Sequence, residues 1–440
     1  MATTDTPHAL ILGAGASGLV AALEAARRGR AVTVIDSGAK PARKVRIAGG
    51  GKCNFTNRDV GADNYVCANP HFPKSALARF GPQDMLDRVA AWGIAVEERD
   101  HGRLFCQDAA GALAGALIHD CRRAGVAFAT GCTVRQAMKD GEDFVVHTDQ
   151  GTFRAPALLV ALGGPAWPQA GATDTGHALA KGFGLPIIAP RPALAPLLFP
   201  TQRCAAPKQS GGSSKNTAAR KGSGPAAHTA RPGAASSPGA PAASPAATWA
   251  MGGLSGISLT VAASCAGRTF TDELLFTHTG LSGPAALQLS LYWCAGEGIV
   301  LDLLPGQDIA ARLAPLRQGK SGNTLVKNLL PRLLPARLAE AVCPPALADT
   351  PIAQIPARDM AALADALHRL TLTPSRTEGF RKAEVTAGGV DTAALSSRTM
   401  EASAVQGLFF SGEVLDVTGQ LGGYNLHWAW ASGWAAGQAL

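Results

Sequence analysis

The chain has 440 residues, of which 47% are apolar and 16% charged, and it contains 51 glycines. This length suits two or three domains, and the composition excludes a disordered or fibrous chain. The net charge of +8 raises the question of an anionic partner, but Lys208, Lys215, Arg220, Lys221 and Arg231 account for five of those charges in one acid-free stretch, residues 205–247, which leaves the remainder only mildly basic.

In chain order, residues 8–12 form a short apolar run, residues 17–28 have helical periodicity and residues 31–36 are rich in β-branched side chains, which together predict a βαβ unit. Residues 70–92 read as helical, 96–106 as a hairpin and 109–124 as a helix. Strands are then expected at 126–130, 133–138, 144–148, 152–155 and 157–161, with turns at Asp140-Gly141 and Gln150-Gly151. From about residue 190 the pattern shifts to short strands. Residues 205–247 are nearly all Ala, Pro, Ser, Gly, Thr and Lys or Arg, and lack the bulky aliphatics that would offset ordering entropy, so a disordered surface loop is expected there. Strands resume at 257–262 and 273–276, a helix at 284–293, and residues 306–370 read mostly as amphipathic helix. Strand signals return at 383–386 and 407–411, and a helix runs from residue 424.

The nine cysteines, at 53, 67, 106, 121, 132, 204, 265, 294 and 343, include no CxxC and no Cys/His spacing that fits zinc. They predict a reduced, cytoplasmic setting and no metal site. The polar first residues predict no signal peptide, and no apolar run is long enough for a membrane-spanning helix to be expected.

Gly13-Ala14-Gly15-Ala16-Ser17-Gly18 places a GxGxxG between strand and helix, with Asp36 eighteen residues beyond Gly18 at the end of the next strand. Gly13 permits the tight turn, Gly15 lets backbone approach a pyrophosphate, and Gly18 brings helix and strand together; the helix N-terminus offers free N–H groups to phosphate, and Asp36 is placed to accept ribose hydroxyls. This turn does not distinguish FAD from NAD. The C-terminus favours FAD: residues 407–413, Gly-Leu-Phe-Phe-Ser-Gly412-Glu413, form a strand ending in Gly and an acid, and Gly422-Gly423-Tyr424-Asn425 opens the last helix, aiming its dipole at a ring that gains negative charge on reduction. Ala161 and Gly163 end a buried strand that turns on Gly163-Gly164, a crossover beside a flavin, and Val134 is a further expected cofactor contact. The basic loop Arg43-Lys44-Val45-Arg46 leads into Gly49-Gly50-Gly51-Lys52-Cys53-Asn54, whose glycines allow close backbone approach to a flat ring. Lys44 or Lys52 is placed to stabilise anionic reduced flavin.

These segments resemble the BaiN/YhiN-like flavoproteins, which are described as NAD(P)/FAD-dependent oxidoreductases or as aminoacetone-oxidase-type enzymes. The resemblance runs through Gly13–Gly18, the segment 49–57, Phe-Thr-His-Thr-Gly-Leu-Ser-Gly-Pro at 276–284, and the segments 385–390 and 412–433. It implies an α/β protein with a glutathione-reductase-like Rossmann domain for FAD, built from residues 1–192 and 373–440, and an inserted β-barrel-like and helical substrate domain at 193–372. Asp36 departs from the glutamate more usual in such proteins, and the stretch 205–247 looks peculiar to this chain.

FAD supplies the electron chemistry, so the protein must position a substrate and manage one proton. The candidates for that role are His278, Lys52 and Tyr424. Cys53 has no second cysteine four or five residues away, which disfavours a dithiol reductase. Trp428, Trp430 and Trp434 define no single helical face and are expected in the core. The leading expectation is hydride transfer between a small organic molecule and FAD, with transient NAD(P)H or oxygen as second partner. The alternatives are an amine oxidase that releases peroxide, a flavin sensor without turnover, and an RNA-associated flavoprotein gripped through 205–247. The five dispersed charges there lack interleaved aromatics, which argues against nucleic acid. No membrane partner is expected, and the sequence does not specify an oligomeric state.

Overall fold

The computed structural model describes residues 7–200, 251–318 and 320–440; the expected loop at 205–247 lies outside them. A parallel five-stranded sheet has the order Leu408–Phe410, Ala157–Val160, Ala9–Leu12, Val32–Asp36, Ala127–Thr130. Its central strand is buried at all four positions, as expected where helices cover both faces of a parallel sheet. The outermost strand, Leu408–Phe410, comes from the far end of the chain, so the expected union of the two ends in one sheet is present.

The last helix, Tyr424–Gly437, lies directly on the first, Ala16–Arg27. Glycines make that approach possible: a Cβ on Gly433 would sit 2.4 Å from the Ser17 carbonyl oxygen, and one on Gly437 would sit 2.6 Å from that of Ala21. Trp428 and Trp430 are buried, their indole N–H groups donating to the carbonyls of Gly412 (3.2 Å) and Phe55 (2.8 Å), so both are core residues with satisfied polar ends. Trp434 is half-buried and stacks under the Arg79 guanidinium.

A second core belongs to a seven-stranded sheet in the order Leu370–Leu372, Ile299–Asp302, Ser258–Cys265, Arg268–Phe276, Gly280–Ser282, Leu197–Leu198, Arg376–Thr377. Its pairs are antiparallel and its two end strands are not neighbours, so the sheet is open. The helices Gly283–Tyr292, Ile309–Gln318, Ala336–Val342 and Ala357–His368 pack around this core. The chain leaves and re-enters the first unit through the antiparallel strands Ile187–Ala193 and Val385–Val390.

Three details differ from the sequence reading. Residues 70–92 form two helices, Phe72–Arg79 and Pro82–Ala91, because the Gly81-Pro82 pair ends one and starts the next. The region 306–370 is broken helix interrupted by 3₁₀ turns. The strands Ile299–Asp302 and Leu370–Leu372, which carry too few residues to show a period, were not expected.

Candidate functional site

The opening turn is built for a close ligand on one side only. Gly13 has φ +105°, and a Cβ there would meet the Ala161 carbonyl oxygen at 2.4 Å; a Cβ on Gly18 would meet that of Gly13 at 2.0 Å. A Cβ on Gly15 would meet nothing within 4 Å, so Gly15 faces open space at the N-terminus of Ala16–Arg27, where no side chain caps the free N–H groups. Asp36 accepts hydrogen bonds from Ala14 N (2.8 Å) and Gly38 N (2.6 Å) and lies 3.5 Å from the Arg43 guanidinium. It therefore fastens the turn. Ser17 is buried and donates to the Ser411 carbonyl at 3.3 Å, tying the opening helix to the closing strand.

Lys44 and Glu413, far apart in sequence, form an ion pair at 2.9 Å, and the second Glu413 oxygen accepts from Thr386 N at 3.0 Å. Gly412 (φ +78°) and Gly163 (φ +72°) flank this pair; a Cβ on Gly163 would stand 3.7 Å from Glu413. Ala161 is buried beneath the turn. Val134 begins the strand Val134–Asp140 two residues after Cys132, whose N–H donates to the Asp36 carbonyl.

The glycine loop takes left-handed backbone at Gly49, Gly50 and Gly51 (φ +57°, +67° and +88°) and, less commonly, at Cys53 (φ +50°). A Cβ on Gly50 or Gly51 would meet nothing within 4 Å, and Ile47 just before them is 44% exposed, an apolar side chain left open beside the glycines. Cys53 is fully buried, and burial pushes its thiol pKa far up, so it is an inert packed residue. Lys52 points to Glu97 at 3.5 Å.

This loop clasps the N-terminus of the last helix. A Cβ on Gly423 (φ +95°) would lie 2.3 Å from the Thr56 carbonyl oxygen. The Asn54 amide, oriented to satisfy its neighbours, accepts from Gly423 N at 3.0 Å, and Asn57 donates to the Gly422 carbonyl at 3.0 Å. Asn425 braces the preceding turn, accepting from Gly419 N (2.8 Å) and donating to the Gly419 carbonyl (2.9 Å). Tyr424 packs edge-on against Tyr65, and burial raises its phenol pKa. The opening turn thus meets the crossover at Ala161 and the Gly412–Glu413 turn, the 49–57 segment meets Gly422–Gly423, and Gly15, Gly50 and Gly51 leave backbone open to the approach of a dinucleotide. His278 does not join them. It is exposed on the turn before Gly280–Ser282, with no hydrogen-bond partner among the described residues.

A second group was not foreseen. Arg103 lies beside Gly422 and pairs at 2.5 Å with Asp272, a residue of the second core's sheet; His101 approaches the same carboxylate at 3.9 Å. The buried Nε of Arg103 has no partner. Arg103 also acts on the charges of Tyr424 and Glu384. The Glu384 side chain is exposed by area, although buried Ala383 and Val385 flank it and protein encloses it closely enough to raise its carboxyl pKa by desolvation. These residues come from three separate segments and carry no local motif, so only the tertiary fold reveals them. Among the described residues there is no cluster of three or more His, Cys, Asp or Glu placed for a metal, and no helix long and apolar enough to cross a membrane.

Residues 7–439 match the family model described as HI0933-like protein Rossmann domain. The chain is 38% identical over 438 residues to the ribosomal RNA dihydrouridine synthase of Haemophilus influenzae (98% of each chain), and 39% identical over 433 residues to that of Escherichia coli (98% of this chain, 97% of the other). It is 28% identical over 449 residues to a 3-dehydro-bile acid delta(4,6)-reductase of Clostridium scindens, with 98% of each covered. Among solved structures, the 3-ketosteroid-delta4-(5alpha)-dehydrogenase of Rhodococcus jostii aligns over 100% of this chain and 98% of the other at 12% identity and a TM-score of 0.47. The chain belongs to the HI0933-like family of FAD-dependent Rossmann-fold oxidoreductases.

Proposed function

We propose that this protein is an FAD-dependent reductase of a carbon–carbon double bond conjugated to a carbonyl, and that its substrate is a uridine in ribosomal RNA, which it converts to dihydrouridine. The observation that carries the reading is near-full-length identity of 38–39% to two proteins of that name. The more distant relative's name points to the same chemistry, since a steroid 4,6-dienone, like the C5=C6 bond of uracil, is an alkene conjugated to a carbonyl.

An exposed basic surface supports an RNA substrate. Arg376, Arg381 and Lys382 are exposed and have no ion-pair partner within 4 Å among the described residues. Trp167, half-exposed and outside every core cluster, is held against them: its N–H donates to the Phe380 carbonyl at 3.0 Å, and Gln169 donates to the Arg381 carbonyl at 3.0 Å. Basic residues next to an aromatic face suit an RNA strand with a splayed base. This lip, two residues from Glu384, offers the interleaving of charge and aromatic that the stretch 205–247 lacks.

In this reading reduced FAD supplies the hydride. The N-terminus of Ala16–Arg27 and the Gly13–Gly18 turn would hold the pyrophosphate and Asp36 the ribose, and Lys44, braced by Glu413, would offset charge near the ring. The 49–51 loop, open where a Cβ would stand on Gly50 and Gly51, and the Gly422–Gly423 turn would hold the ring. NAD(P)H is the proposed reductant, reaching the open face transiently.

The test is anaerobic. Flavin reduced with NADPH or NADH is mixed with ribosomal RNA from cells lacking the enzyme; the expected result is reoxidation of the flavin and a gain of two mass units at one uridine. If the flavin turns over with oxygen alone and the RNA keeps its mass, the reading fails in favour of an oxidase.

A further inference from the structure

We infer that Arg43 is a further dinucleotide-binding residue, whose guanidinium holds the diphosphate of FAD; this rests on the FAD site of the reading above. A residue in that role must stand beside the phosphate turn and have donors left over. It must also answer the negative charge of Asp36, which an approaching diphosphate meets.

Contacts at both ends of the residue place it. The N–H of Ala42 donates to the Ala14 carbonyl at 2.8 Å, so the backbone entering Arg43 is tied to the middle of the opening glycine turn. The guanidinium lies 3.5 Å from Asp36, whose two oxygens already accept from Ala14 N and Gly38 N. Lys44, the next residue, turns instead to Glu413 at 2.9 Å. FAD carries its diphosphate between the ribose and the ring, and residues 43 and 44 run between the two carboxylates proposed to mark those ends.

Two glycines make room for this side chain. A Cβ on Gly38 would stand 2.6 Å from Nε of Arg43, and one on Gly171, on the loop after the crossover, would stand 2.8 Å from Cζ. Gly171 has φ +83° and needs glycine for its backbone as well. Gly38 is not left-handed, so there it is the space beside Arg43 and Asp36 that calls for glycine. A surface ion pair requires no such slot. The guanidinium also has donors to spare: of its five N–H groups, those with partners among the described residues reach Ser37 Oγ at 3.4 Å and Asp36 at 3.5 Å, both long, and the side chain is 37% exposed. A planar fork in that state suits phosphate oxygens. The other cations of the same loop are directed elsewhere, Arg46 to the Pro41 carbonyl at 3.4 Å and Lys52 to Glu97 at 3.5 Å.

The experiment titrates full-length apo-protein with FAD, and with ADP, which has the diphosphate but no flavin ring. Arg43→Met keeps the stem of the side chain and removes the fork. Expected is a loss of affinity for both ligands on the order of 10–100-fold, larger at low than at high NaCl because a charge contact is screened. Arg43→Lys should recover part of the affinity, since it keeps the cation and loses the bidentate geometry. Should Arg43→Met also lower the melting temperature of the apo-protein, Arg43→Lys decides: affinity above that of Arg43→Met supports the assignment, and no recovery overturns it. An Arg43→Met protein that binds both ligands as wild type does, or whose loss is the same at every salt concentration, also overturns it. If wild-type protein holds FAD and leaves ribosomal RNA unreduced, the reaction proposed above fails while the Arg43 comparison still decides the diphosphate contact. A wild-type chain that binds neither FAD nor ADP overturns both.

Discussion

At the scale of single residues, two glycines with the same apparent role are expected to behave in opposite ways. Gly15 has ordinary extended backbone and open space where a Cβ would stand, so Gly15→Ala should leave thermal stability unchanged while weakening FAD binding, because the methyl occupies the side from which the pyrophosphate approaches. Gly423 has φ +95° and would drive a Cβ to 2.3 Å from the Thr56 carbonyl, so Gly423→Ala should cost about 3 kcal/mol or more of folding free energy and lose the cofactor with the fold. Melting temperature and flavin absorbance on the same preparations separate the two. Equal loss of stability in both variants would mean that Gly15 is structural. Glu413→Gln should weaken FAD binding less drastically, since it removes the ion pair that holds Lys44 but leaves the amide to accept from Thr386. Fluorescence titration of the apo-protein reads that change directly.

At the scale of elements, the last helix is the keystone, and one buried side chain makes its seat pH-sensitive. His427 has no exposure; Nδ1 lies 2.8 Å from the Thr56 hydroxyl and Nε2 3.1 Å from the Phe80 carbonyl, and burial lowers its pKa to about 4. The unfolded chain binds this proton below about pH 6.5 while the folded chain refuses it until about 4, so the contribution is complete above 6.5 and is lost as pH falls toward 4, to a limit of about 3 kcal/mol. The difference between the wild-type and His427→Gln melting profiles from pH 7 to 4 isolates that effect; a pH-independent difference would remove His427 as its source. This helix also shows where the sequence is legible. Its existence, the Gly-Gly-Tyr-Asn entry and the burial of its tryptophans follow from local composition. Its docking on Ala16–Arg27 through Gly433 and Gly437 does not, because glycines spaced along an apolar helix have the same local pattern whether they meet a partner helix or a turn. The βαβ unit was readable for the converse reason: strand, turn, helix and acid all lie within a few dozen residues. The strands Ile299–Asp302 and Leu370–Leu372 were not, since runs of three or four residues are fixed only by their neighbours in the sheet.

At the scale of the whole molecule, two large hydrophobic cores are built from separate sets of residues, and Arg103 touches three parts of the chain. It stands on the strand Arg103–Cys106 after the glycine loop, lies against Gly422 at the entry to the last helix, and pairs with Asp272 of the inserted sheet. The two side chains are 19% and 18% exposed, so water screens the pair less than it screens a surface bridge. Each core is built from its own apolar residues, and breaking the pair should therefore loosen the relative placement of the two units without unfolding either. Asp272→Asn removes the charge that fixes Arg103 and leaves the residue's shape. The expected outcome is a normal flavin spectrum and a normal rate of reduction by NAD(P)H, because the residues proposed to hold the dinucleotide all lie within the first unit, with a substrate step slowed at least tenfold. A double-mutant cycle with Arg103→Met should give a coupling energy of about 0.5–3 kcal/mol in that step and little in cofactor affinity. A coupling seen equally in FAD binding would place Arg103 in the cofactor site instead of between the two units.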